Sequence, residues 1–199
     1  MNKILVAYAT NAGSTAKIAE AVAAELAKSA EVDILPLEKV TSLDDYSAIV
    51  LGAPMIVGWH RGALAFLKRN QAALGQKPLA IFVTCVNLTK TDETNLEGVP
   101  LFIDEKLPKA PKNPARLGLK ENYSTPKNYL MPILKLVKPV SIGVFGGSLQ
   151  YFSMKWWQVP FVLLVIQAMP GDKRNWKAIQ TWAGGLFQER VSNPEQKTL

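Results

Sequence analysis

The alternation of apolar and polar residues lays out most of the chain. Residues 3–8 (KILVAY) form an unbroken apolar run rich in β-prone side chains, the pattern of a strand covered on both faces. From residue 14 to 29 the period changes. Ile18, Ala19, Val22 and Leu26 recur at helical spacing, which predicts a helix with one buried face. A second strand is expected over residues 31–35 and a third over 48–52 (AIVLG). A loop with Pro54 and Gly58 then leads to a helix over about 62–74, and a fourth buried strand covers 78–84 (PLAIFVT). Regularity stops after that. Residues 88–138 carry six prolines (Pro100, Pro108, Pro111, Pro114, Pro126 and Pro132) and many charges, with few apolar runs. A fifth strand over 140–145 is followed by Gly146 and Gly147, and a final helix is expected over 174–188. Strands alternating with helices argue for an α/β domain: a doubly wound parallel sheet covered on both faces. Five strands in the order 2-1-3-4-5 are the most economical arrangement, with a long insertion before the last strand.

Composition narrows the field. The 199 residues suit one domain with an insertion at 88–138. Lys and Arg outnumber Asp and Glu 23 to 16, a net charge of +7 that attracts anionic surfaces. That charge permits nucleic acid, but no recognition motif accompanies it, so no nucleic acid partner is expected. One cysteine, Cys85, excludes an internal disulfide and fits a reducing compartment. The apolar start reads as a strand with no signal-peptide cleavage pattern, which points to the cytoplasm. No metal site is expected, and self-association is left open.

The candidate chemistry begins where the first strand meets the first helix. In the 2-1-3-4-5 order this junction lies at the switch point beyond the strands' carboxyl ends, where ligands bind. Its residues, Thr10, Asn11, Ala12, Gly13, Ser14 and Thr15, carry hydroxyls and amides and no charge. A helix start offers unpaired backbone N–H groups and a positive dipole end, so a phosphate can be held there without a cation. Neither G-x-G-x-x-G nor G-x-x-x-x-G-K-[ST] is present, which weighs against a nicotinamide-dinucleotide fold and a nucleotide triphosphatase. A second reading of the junction is that Ser14 simply caps the helix.

T-N-A-G-S-T after a first strand resembles the [ST]-x-[TA]-G-x-[ST] phosphate loop of flavodoxin-like proteins, which bind FMN. The resemblance implies that the loop after the third strand (Ala53, Pro54, Met55, Ile56, Val57, Gly58 and Trp59) covers one side of the isoalloxazine ring. It implies that Thr84, Cys85, Val86 and Asn87 cover the other, with backbone groups at the pyrimidine edge and Asn87 as a polar partner. Trp59 either stacks on the ligand or packs into the core. His60, the only histidine, stands at the expected flavin edge, where either a functional or a structural role fits. Cys85 reads as a small buried residue.

Two features exceed a plain electron carrier: the 88–138 insertion and the apolar stretch 151–169. The latter has Lys155, Trp156 and Trp157 at one end and is too short to span a membrane. It fits a membrane interface, with Lys127, Lys135 and Lys138 nearby for acidic headgroups, or a buried helix. With G-A-P-M-I-V-G-W-H-R-G-A, F-V-T-C-V-N-L, S-T-P-K-N-Y and F-G-G-S-L-Q-Y, the chain is similar to the flavodoxin-type, menaquinone-dependent protoporphyrinogen oxidases. That likeness implies an FMN-dependent oxidoreductase, peripheral on the inner face of the cell membrane, oxidising a porphyrinogen with a quinone as acceptor. The alternatives are an electron carrier, against which the positive charge argues, and a flavin-binding docking module without its own substrate. No acid–base pair stands out, so the catalytic residues stay unassigned.

Overall fold

The computed structural model describes residues 3–56, 58–149 and 171–187. Strand β1 (Lys3–Tyr8) sits between two parallel neighbours. It pairs with β2 (Glu31–Pro36) through Ile4↔Val32 and with β3 (Ala48–Met55) through Leu5↔Ile49. The sheet continues through β4 (Leu79–Cys85) to β9 (Ser141–Gly146), again parallel. The order 2-1-3-4 followed by the last predicted strand is therefore the one expected from the sequence.

Because side chains alternate across a strand, the sheet feeds two cores. On one face Ile4, Val6, Val50, Ala80, Phe82 and Phe145 meet helix α1 (Ser14–Leu26) and helix α6 (Trp176–Gly185), which contributes Ile179 and Trp182. On the other, Leu5, Ile49, Leu51, Ile81 and Val83 meet α2 (Arg61–Arg69) and α5 (Pro126–Leu134). Each fully buried large apolar side chain contributes about 1.5–3 kcal/mol. The helix expected over 62–74 is two, α2 and α3 (Gln71–Gly75). Asn70 separates them and turns its side-chain amide back to the Phe66 carbonyl at 2.9 Å.

The insertion is built structure and widens the sheet to seven strands. Within it, β7 (Val99–Ile103) lies parallel to β9 through Leu101↔Ile142, and β6 (Asn95–Leu96) folds back on β7. Glu97 and Gly98, both at positive φ, make that two-residue hairpin, the conformation a type I′ turn needs. The short strands β5 (Leu88–Thr89) and β8 (Pro108–Lys109) pair beside the sheet. Helix α4 (Leu119–Tyr123) precedes α5, which starts with Thr125 accepting from the Asn128 N–H and Pro126 in its first turn. After β9, β10 (Ser148–Leu149) pairs antiparallel with β11 (Gly171–Asp172). Among the described residues no helix is long and apolar enough to cross a membrane. The 151–169 segment lies outside the described residues.

Candidate functional site

The first loop curls on itself. Thr10 Oγ1 accepts the Gly13 N–H at 2.9 Å, and Gly13 takes a left-handed φ of 79°, which a β-carbon would strain. Helix α1 then starts without a side-chain cap. Ser14 does not fill that role: its Oγ accepts the Ser148 N–H at 2.7 Å, tying the helix start to the strand after β9. Thr15 faces inward, 2% exposed, with its hydroxyl 3.0 Å from that of Thr84. Asn11, Ala12 and Gly13 are exposed, and nothing lies within 4 Å of the place a Gly13 β-carbon would occupy.

The third loop is shorter than the sequence suggests, because β3 runs on through Pro54 to Met55. The chain reverses at Gly58 (φ 80°), and Met55 bridges to Trp59. His60 N–H donates to the Pro54 carbonyl at 3.1 Å. Trp59 packs: it is 3% exposed and its indole N–H donates to the Ala53 carbonyl at 3.3 Å. Ala53, Pro54 and Met55 are buried with it, whereas Ile56, Gly58 and His60 are half-buried. His60 Nδ1 is buried without a partner among the described residues. Val57 lies outside the described residues. A hollow of about 270 Å³ separates Asn11 of the first loop from Pro54, Ile56, Gly58 and His60 of the third.

The fourth loop leaves β4 at Cys85, whose buried thiol is pushed up to about 12 by desolvation and stays neutral. Its carbonyl accepts the Gly147 N–H at 3.0 Å. Val86 and Asn87 are half-buried, and the Val86 carbonyl accepts from Lys173 Nζ at 3.0 Å. From Ile56 and Asn87 a cleft of about 620 Å³ opens toward the insertion, where Lys109, Lys112, Lys120, Tyr123 and Tyr129 line it. Glu121 also lines it. The backbone N–H groups of Lys112 and then Gly118 hold its carboxyl below the usual range. The three lysines form no ion pair among the described residues.

The three expected loops therefore converge on one end of the sheet, and their side chains divide. Thr15, Ala53, Met55, Trp59, Thr84 and Cys85 turn inward, so any ligand meets them through backbone. Thr10, Asn11, Ala12, Gly13, Ser14, Ile56, Gly58, Val86 and Asn87 keep some exposure. A phosphate fits the first loop: the opening amides of α1 lack a side-chain cap, and Gly13 leaves open space beside them. The hydroxyls of Thr10 and Ser14 each accept one bond and keep a hydrogen to donate. Ser148 and Lys173 were not among the expected site residues. Ser148 lies in a stretch quoted for its family likeness, while nothing local marks Lys173.

Among solved structures, the chain is similar to Fusobacterium nucleatum flavodoxin bound to flavin mononucleotide (18% identity, TM-score 0.37), covering 43% of this chain and 53% of that one. It is similar to the rubredoxin oxygen:oxidoreductase of Desulfovibrio gigas (20% identity, TM-score 0.37), covering 43% and 23%. Two-electron reduced Megasphaera elsdenii flavodoxin matches at 14% identity and a TM-score of 0.44, covering 72% and 84%. The matched region thus spans about half of the first protein and a quarter of the second. No curated protein matches the chain. The flavodoxin-domain family profile matches residues 5–175, most of the sequence, and the chain belongs to the flavodoxin-domain family.

Proposed function

We propose that this chain is an FMN-dependent redox protein whose reaction partner enters by the cleft beneath the insertion. The observation that carries the reading is the uncapped start of α1 behind a left-handed Gly13, at the sheet position where phosphates bind. Bound FMN supplies one- and two-electron chemistry, and the chain supplies binding, orientation and electrostatics. Thr10, Ser14 and the first amides of α1 hold the phosphate. The turn at Ile56 and Gly58 and the backbone of Val86 and Asn87 flank the ring. Buried Trp59 supports the third loop from behind.

At finer grain, the electron donor is a porphyrinogen and the acceptor a quinone met at a membrane surface. The motif likeness along the chain supports this. So does a cleft with an apolar and aromatic floor (Ile56, Leu88, Tyr129) and three lysines without an ion pair among the described residues, which suits an apolar ring bearing carboxylates. The test is anaerobic turnover of FMN-loaded protein with protoporphyrinogen and menaquinone, beside flotation on anionic vesicles. Porphyrin formation coupled to quinone reduction is expected. A flavin-loaded protein that turns over neither compound is an electron carrier, and one that stays off vesicles acts away from membranes.

A further inference from the structure

Lys173 follows β11, far from the three loops in sequence, yet it is stitched into the fourth. Its backbone N–H donates to the Gly147 carbonyl at 3.1 Å, and the Gly147 N–H donates to the Cys85 carbonyl at 3.0 Å. Gly146 makes this approach possible, since a β-carbon there would run into the Lys173 carbonyl. With its backbone so held, the side chain spans to Val86, 87 residues away, and Nζ donates to that carbonyl at 3.0 Å. One of three ammonium hydrogens is used, leaving donors beside the Val86 carbonyl. Among the described residues no carboxylate pairs with Lys173. Burial lowers its pKa and Lys109 acts in the same direction, while the neutral Cys85 thiol offsets nothing at pH 7. A cation with no carboxylate partner among the described residues, held half-buried at the end of this loop, loses part of its hydration and keeps its charge available to a ligand there.

We infer that Lys173 is the tuning cation of the flavin site: it fixes the Val86 carbonyl and sets a positive charge at the start of the fourth loop, favouring the reduced, negatively charged cofactor over the oxidised one. The inference rests on the FMN reading above. It goes further by naming a residue that sets the redox preference of the bound flavin rather than one that holds it. The physical reason is Coulombic. Reduction adds negative charge to the ring, and a nearby fixed cation stabilises that state selectively, whereas a tether would act on both states alike.

The experiment is anaerobic titration of the full-length apoprotein with oxidised and with reduced FMN, for the wild type, Lys173→Gln and Lys173→Arg. Glutamine keeps a donor for the Val86 carbonyl and removes the charge. Its ratio of reduced to oxidised Kd is expected to rise about tenfold, the scale of one charge contact in a part-buried site. Arginine is expected to keep the ratio within about threefold of wild type, since its charge is retained. A ratio unchanged in Lys173→Gln, or an equal loss for both redox states, overturns the inference and makes the lysine a tether. If the glutamine variant does not fold, Lys173→Met against Lys173→Arg makes the same comparison. A wild type that binds neither form of FMN fails the FMN reading itself, and this inference with it.

Discussion

Thr15 and Thr84 join the phosphate-loop helix to the fourth strand, and removing either hydroxyl has a calculable cost. Their oxygens are 3.0 Å apart, their residues 2% and 4% exposed, and each is the other's partner among the described side chains. Thr84→Val is nearly isosteric and leaves the Thr15 hydroxyl buried and unpaired, a cost of about 1–3 kcal/mol. Thr15→Val strands Thr84 in the same way. The double variant strands neither, so its loss is expected to fall at least about 1 kcal/mol below the sum of the singles. Urea unfolding of the three variants beside wild type reads these values, with matching slopes confirming comparable unfolding transitions. Additive losses would mean the hydroxyls do not depend on each other, refuting the buried pair. FMN affinity is a second readout. Because Thr15 faces inward, Thr15→Val is expected to change it by less than about threefold once folded, against the larger loss due if its hydroxyl met the phosphate.

Gly13→Ala meets no atom within 4 Å, so its penalty is conformational: about 1–2 kcal/mol for a non-glycine residue at φ 79°, read as a lower urea midpoint. The Cys85 thiol, pushed up to about 12 by burial, is expected to resist iodoacetamide at pH 8 in the folded protein and to react in urea; rapid native labelling would contradict its burial. The Asp33 carboxyl is held below its ordinary 3.8 by the Tyr46 hydroxyl and then by Lys3. Its contribution is therefore present above pH 3.8 and lost as pH falls through the lower folded value. Solvent screening keeps that contribution below about 1 kcal/mol, and Asp33→Asn is expected to flatten the acid limb of stability against pH.

The central strands were legible because burial on both faces leaves unbroken apolar runs, as in AIVLG and LAIFVT. Strand β7 leaves little trace in the sequence because it contains Pro100 and most of its residues are only half-buried, so its composition resembles a loop. The position of the first loop was legible from strand order, but its bonding was not. Ser14 looked like a cap, yet a left-handed glycine starts the helix and frees Ser14 to bond Ser148, a partner 134 residues away. Trp59 is ambiguous for a similar reason: an aromatic residue beside a glycine suits a ligand wall or a core, and its burial, 3% exposed, with its bond to the Ala53 carbonyl decides for the core. Lys173 had no sequence signal, because its role depends on the packing that brings β11 beside the end of β4.

Titrating apoprotein with FMN and with riboflavin, which lacks the phosphate, tests most directly whether the first loop is a phosphate cradle. FMN is expected to bind at least about 100-fold more tightly, the worth of two charge-assisted hydrogen bonds at about 1.5 kcal/mol each. Gly13→Ala should erode that gap while leaving riboflavin binding nearly unchanged. Equal affinity for the two flavins, or binding of neither, would contradict the cradle.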